Sequence, residues 1–249
     1  MAANRRFVQE KSVSVPTLDC DLGNSRVKWR FGRHSGAGQF DDKDCFRQIG
    51  VARVRIASVL SADRTHLWAR RCEQAWPGVA IDYPKVLPLA NGLVPAYRQP
   101  ERLGIDRWLG IAAAFRPGEA CCVISAGTAL TIDFVTRTGE HLGGYIAPGI
   151  ELGRKALGES TDRVRSTAKS LFEAQLGPGR DTQTCVEHAL RLGHVGLIKE
   201  ALYRYESRHG PVGIVHLTGG NAPWLSGLLE RPTQLHENLV LDGLTIVLP

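Results

Sequence analysis

The chain has 249 residues, enough for one large domain or two of about 120, and either size can bury an adequate core. Hydrophobic residues make up 43% and charged residues 22%, with no low-complexity tract, which excludes a mainly disordered chain. The formal charge of +6 favours polyanions, yet the basic residues are dispersed and carry no RNA- or DNA-binding signature, so an enzyme of anionic substrates accounts for the charge.

No apolar run reaches the roughly 18 residues of a membrane span, and the N-terminus lacks a signal-peptide core, so a cytoplasmic protein is expected. Cys20, Cys45, Cys72, Cys121, Cys122 and Cys185 include no Cys-x-x-Cys pair, and they read as reduced, buried thiols.

Residues 1–14 are polar and basic without a period and read as a mobile extension. From Val15 the pattern is that of strands: Val15 to Cys20, Val27 to Phe31 and Val51 to Leu60 are apolar or alternate at period two. Asp63 to Trp76 reads as a helix stopped by Pro77-Gly78. Residues 84–100 hold four prolines and form a long loop, a feature often tied to function. Leu103 to Phe115 then places Ile105, Trp108, Leu109, Ala112 and Ala113 on one helical face.

Pro117-Gly118 marks a boundary between a first half, 15–118, and a second, 119–249. The second half opens with strands at Cys121 to Ser125, Leu130 to Val135 and His141 to Ile146, and Pro148-Gly149 opens a helix. A long helix follows from about Thr184 to Ser207, with Thr184 and Glu187 as its capping box, and Gly213 to Thr218 is a strand. Asn221 caps a short helix with Pro223 in its first turn. The order β-β-β-α-β-α in both halves specifies an α/β protein.

Two segments about a hundred residues apart share one pattern, Asp21-Leu22-Gly23-Asn24-Ser25-Arg26-Val27-Lys28 and Ser125-Ala126-Gly127-Thr128 running on to Asp133. Each glycine lets the backbone turn tightly, and the adjacent amide and hydroxyl side chains donate to phosphoryl oxygens. One such turn is an ordinary hairpin; its duplication points to a nucleotide held between two related halves. Asp21 suits Mg²⁺ on nucleotide phosphates, or equally an Asx-turn, and Lys28 points to phosphate or to water. Asp106 is a helix-capping acid or a base that accepts a hydroxyl proton, with Arg107 beside it to neutralise an anionic group. Gly143 to Gly149 is too rich in glycine and proline for mid-strand, and reads as a cleft wall or a strand-to-helix turn. Thr218-Gly219-Gly220-Asn221 lies where open α/β sheets bind ligands.

Taken in order, Asp21-x-Gly-Asn-Ser, Gly104-Ile105-Asp106-Arg107-Trp108, Gly127-Thr128-Ala129-x-Thr131-x-Asp133, Gly143-Gly-Tyr-Ile-x-Pro-Gly149 and Thr218-Gly-Gly-Asn221 resemble the type III pantothenate kinases, some of which are named Bvg accessory factors. The resemblance implies two ribonuclease-H-like domains of the acetate and sugar kinase/Hsp70/actin superfamily. It also implies a homodimer with substrate pockets at the subunit interface, and ATP- and Mg²⁺-dependent formation of 4′-phosphopantothenate, the first committed step to coenzyme A. Carried over, Asp21 to Lys28 and Thr128 contact ATP, and Asp21 serves Mg²⁺ through the phosphates. Asp106 is the general base, while Tyr97, Gly104, Ile105, Asp106, Arg107 and Thr182 contact pantothenate.

Two departures stand out. Ser125 occupies the position of the family's aspartate for a monovalent cation such as K⁺ or NH₄⁺, and the family's Asn-Gly-Tyr is altered around Tyr97. The alternative function is a catalytically weakened homologue acting as a regulatory or accessory binding protein; the presence of Asp21, Asp106 and Arg107 favours the kinase.

Overall fold

In the computed structural model, residues 15–160 and 176–249 are described. The expected extension at 1–14 lies outside the described residues, as does 161–175. Two five-stranded sheets organise the rest. The first contains β1 (Thr17–Leu22), β2 (Val27–Phe31), β3 (His34–Gly38), β4 (Arg53–Ser58) and β5 (Ala80–Asp82), in the order β3-β2-β1-β4-β5. The second contains β6 (Cys121–Ala126), β7 (Ala129–Val135), β8 (His141–Pro148), β9 (Ile214–Thr218) and β10 (Thr233–His236), in the order β10-β9-β6-β7-β8. Counted from the first strand of each half, the order is the same. The first three strands form an antiparallel meander, and the last two run parallel to the first.

The duplication inferred from two short hairpins therefore extends to whole sheets, and the α/β expectation of two ribonuclease-H-like halves holds. The proposed order β-β-β-α-β-α was incomplete. It missed β3, whose His-Ser-Gly-Ala-Gly has no apolar alternation because it is a largely exposed edge strand, and it missed β5 and β10.

Helix α1 (Ala62–Ala75) starts where the Ser61 hydroxyl accepts the Arg64 N–H at 3.4 Å, and it buries Trp68, Ala69 and Cys72 against Leu18, Cys20 and Ile56 of the first sheet. Helix α2 (Ile105–Ala114) was expected to bury one face. Every residue from Arg107 to Ala114 is buried, because the helix lies between the sheets. Trp108 and Ile111 pack with Val123 and Val135 of the second sheet, and Leu109 packs with Ala57 of the first and with α6 (Leu239–Val247).

Helix α6 comes from the end of the chain yet rests on β1 and β4. Arginines of the first sheet hold it there. Arg30 donates to the Asp242 carboxylate and the Leu241 carbonyl, each at 2.6 Å, Arg53 donates to the Pro249 carbonyl at 2.8 Å, and Arg55 donates to that of Leu248. Carbonyls at a helix end lack intrahelical partners, so guanidinium groups satisfy them well.

Helices α3 (Ile150–Ser160) and α4 (Thr182–His209) pack together, joined by Arg154, which donates to both carboxylate oxygens of Glu187 at 2.5 and 2.9 Å. This corrects the expected capping box. Asp181 is the N-cap, accepting the Thr184 N–H at 2.8 Å, and Glu187 is committed to α3. Helix α5 (Ala222–Ser226) begins after Asn221 as expected, although the Asn221 side chain makes no cap bond. Five cysteines are buried, and burial pushes the Cys45, Cys72 and Cys121 thiols up to about 12. Cys185 is exposed, contrary to expectation, because it lies on the outer turn of α4.

Candidate active site

The two duplicated hairpins meet. Gly23 N–H donates to the Arg26 carbonyl at 3.0 Å in the first turn, and Gly127 N–H donates to the Ala129 carbonyl at 3.0 Å in the second. The Ser25 and Thr128 hydroxyls, 103 residues apart in sequence, are 2.7 Å apart. Leu22 and Val27 bury their side chains in the first core, so they offer only backbone groups to a ligand, whereas Asn24, Ser25 and Arg26 are exposed at the tip.

The glycine-rich segments picked out from the sequence pack behind the second turn. A Cβ at Gly149 would lie 2.3 Å from the Gly127 carbonyl oxygen, and one at Gly219, where φ is +96°, would lie 2.6 Å from the Ala126 backbone. Gly149 N–H donates to Thr128 O at 2.9 Å and Asn221 N–H to Ala126 O at 3.0 Å. Only glycine permits this approach, which fixes the second turn from behind. The objection that Gly143 to Pro148 could not be mid-strand is overturned, since β8 runs through Pro148. Gly144 passes so close to Ile132 that no Cβ would fit, and Pro148 ends the strand, where a missing N–H is tolerated.

Asp21 lies across from Lys28 in the β1–β2 pair. Lys28 Nζ donates to the Glu237 carbonyl just before α6, so it links the hairpin to that helix. The Asp21 carboxyl is raised to about 7, chiefly by burial and then by the charge of Asp106, with Lys28 opposing the rise. Asp106, in the first turn of α2, accepts the Arg107 N–H at 2.8 Å, and burial raises its carboxyl too. A Cβ at Gly104 would come 2.8 Å from Asp106 Oδ1, so the preceding glycine leaves the carboxylate its place. Two carboxylates with raised pKa, one near the end of β1 and one in the first turn of α2, the charge of Asp106 felt at Asp21, form an arrangement typical of reactive sites.

Among the described residues no cluster of three or more acidic, histidine or cysteine side chains forms a protein-only metal cage. Asp21 has no side-chain hydrogen bond among the described residues, so its carboxylate oxygens are open to a hard cation such as Mg²⁺.

Arg107 is 8% exposed and bound bidentately to Asp133, Nη2 to Oδ1 at 2.6 Å and Nε to Oδ2 at 3.0 Å. Burial alone would lower its pKa, but Asp133 outweighs burial and keeps it charged. Its Nη1 donates to the Tyr97 hydroxyl at 3.0 Å, bringing the proline-rich loop to α2. Ile105 packs beside this group. Both Asp133 oxygens are therefore already engaged by donors. Ser125 sits in β6 in register with Thr131 and Thr218, with no charge on either neighbour. Thr182, the exposed first residue of α4, has no hydrogen bond to Asp106, Arg107 or Tyr97 among the described residues. His141 was missed by sequence reasoning; its one signal is a histidine that opens a strand ahead of Gly143-Gly144.

A family model for type III pantothenate kinase matches residues 17–204. A Chromohalobacter salexigens protein named type III pantothenate kinase is 32% identical, covering 93% of this chain and 87% of its own. One of the same name from Ectopseudomonas mendocina is 35% identical, covering 93% and 98%. A crystal structure from Campylobacter jejuni, described as a Baf family transcriptional activator, aligns with a TM-score of 0.64 at 22% identity over 92% of this chain and 96% of that one, which shows a shared fold.

Proposed function

The chain belongs to the type III pantothenate kinase family, and from that premise we propose how its residues divide the work of moving the γ-phosphoryl group of ATP onto pantothenate. The product is 4′-phosphopantothenate, at the entry to coenzyme A synthesis. The observation that carries the site assignment is the meeting of the two hairpins at Ser25 and Thr128 beside the Asp21 and Asp106 carboxylates. The hairpin amides and hydroxyls, from Asp21 to Lys28 and at Thr128, hold the phosphates. Asp21 orients Mg²⁺, which when bound neutralises phosphate charge. Asp106 accepts the proton of the pantothenate hydroxyl. Gly104 to Arg107 and Tyr97 bind the rest of that substrate, Arg107 acting through Tyr97 because its own charge is matched by Asp133.

The halves 15–118 and 119–249 enclose the nucleotide, and the protein works in the cytoplasm. Nothing in the site favours the regulatory alternative, and the Chromohalobacter salexigens and Ectopseudomonas mendocina relatives carry the kinase name. In a coupled assay, ADP release should require pantothenate; equal release with glucose in its place would discard the acceptor assignment.

The working unit is a homodimer. Edge strand β8 and helix α3 expose Leu142, Tyr145, Ile146, Leu152 and Leu157 on adjoining elements, an apolar surface of the kind that partners cover. Thr182, which among the described residues has no hydrogen bond to its own chain's Asp106, Arg107 or Tyr97, is then available to a partner's pantothenate. Activity should vanish on dilution below the dimer dissociation constant, and a fully active monomer by light scattering would refute this.

Ser125 offers only a hydroxyl dipole where a monovalent cation would sit, and Asp133 is already paired. These residues do not fit a tight K⁺ site. With Na⁺ replacing K⁺ at constant ionic strength, the natural protein should show no activation at low K⁺, and Ser125→Asp should gain it. Strong low-concentration activation of the natural protein would contradict the assignment.

A further inference from the structure

The loop at 84–100 is proline-rich but tethered. Val94 N–H donates to the Gly139 carbonyl at 2.9 Å, and His141 N–H donates back to the Val94 carbonyl at 3.0 Å, so the loop lies along the β7–β8 turn. Two residues on, Ala96 N–H donates to His141 Nδ1 at 3.4 Å. An imidazole that accepts at Nδ1 carries its proton on Nε2. That atom lies 3.0 Å from Asp133 Oδ1, so it donates there. Asp133 in turn takes both Arg107 donors, and Arg107 Nη1 donates to the Tyr97 hydroxyl.

The bonds close a ring from the loop backbone at Ala96 through His141, Asp133 and Arg107 to Tyr97 and back into the same loop. His141 and Asp133 are 1% and 2% exposed, so water cannot readily replace either bond. The Tyr97 ring also stacks parallel to the His141 imidazole, centroids 6.5 Å apart. Asp133 accepts from both sides of the ring, from His141 Nε2 and from Arg107, and Arg107 donates both to Asp133 and to Tyr97. Because the Tyr97 oxygen receives from Arg107, its own O–H is left to donate to another acceptor.

We propose that Asp133 and His141 are positioning residues for the alcohol substrate. They lock Arg107 and the Tyr97 loop so that the Tyr97 hydroxyl donates to bound pantothenate. The inference rests on Tyr97 facing pantothenate, as argued above, and adds what holds it there. Asp133 lies in β7, well beyond the turn of the second hairpin, and among the described residues neither positioning side chain hydrogen-bonds the Gly23–Arg26 or Gly127–Ala129 turn.

His141→Phe keeps the ring volume and removes both side-chain hydrogen bonds. It should raise the KM for pantothenate by about tenfold, the scale of one or two lost hydrogen bonds, with the KM for ATP within about twofold of wild type. Backbone hydrogen exchange over 93–98 should rise by a similar factor while that over 21–28 stays unchanged. Should that variant fail to fold, His141→Gln, whose amide N–H reaches Asp133 but leaves Ala96 N–H without its acceptor, decides by the same readouts. Parallel rises in both KM values, or unchanged exchange over 93–98, would overturn the proposal. Wild-type protein without pantothenate turnover would sink the kinase reading separately; the exchange measurement judges the anchoring without any turnover.

Discussion

Asp106→Asn is expected to lower kcat by about 10²-fold or more while the protein stays folded and the KM values change little. The substitution keeps the shape of the side chain and an oxygen to accept the Arg107 N–H in the first turn of α2, so this local hydrogen bond is kept. What it removes is proton acceptance. Burial already raises the Asp106 carboxyl, which moves a base toward the working pH, and the Arg107 N–H and charge oppose that rise. The same change withdraws a negative charge that raises Asp21, so the Asp21 carboxyl should titrate lower in the variant. Steady-state kinetics with a thermal melt as the control for folding test this. Turnover like the natural protein's would remove Asp106 from the mechanism.

The second large effect concerns Asp21. Its carboxyl is raised from an ordinary 3.8 to about 7, so the nucleotide-free protein binds more protons than the unfolded chain between those values. The sign follows: this group lowers stability progressively as pH rises from about 4 to about 7, and the penalty is constant above that. A Mg·nucleotide needs the ionised form. Binding below pH 7 must therefore release a proton, and kcat/KM for ATP should fall by up to tenfold per pH unit there. Asp21→Asn should abolish the proton release and lower kcat/KM for ATP by on the order of 10²-fold, the loss seen when one electrostatic contact to a reacting group is removed. Calorimetry in buffers of different ionisation enthalpy counts the proton; pH-independent binding without proton release would contradict the role given to Asp21.

Much of this was legible along the chain because the signals are local. Gly23-Asn24 and Gly127-Thr128 between apolar runs announce hairpins, and Asp21 and Asp106 are marked by their places at a strand end and a helix start. Helix α6 was not legible. Leu-Val-Leu-Asp-Gly-Leu-Thr-Ile-Val, to which the pattern assigns no element, holds β-branched residues and a glycine that are poor helix formers, and it becomes a helix by burial between α2 and the first sheet. A Cβ at Gly243 would lie 2.1 Å from the Leu109 carbonyl oxygen, so glycine there serves the crossing of two helices and says nothing locally about helix or strand. In the site, the Ser25–Thr128 contact and the pairing of Arg107 with Asp133 depend on two sheets coming together. No periodicity within either half encodes that distance. Reading Arg107 as a free counter-ion failed to foresee Asp133 for this reason.

The central claim is that the cleft between the hairpins transfers phosphate from ATP to the primary hydroxyl of pantothenate. The most direct measurement incubates the protein with ATP, Mg²⁺ and pantothenate and follows phosphorus resonances alongside the mass of the pantothenate product. The predicted result is one new phosphomonoester on the 4′ oxygen for each ADP formed, absent without pantothenate and strongly reduced in Asp106→Asn. ATP consumption that ignores pantothenate, or an intact protein that binds ATP and leaves pantothenate unmodified, would contradict it.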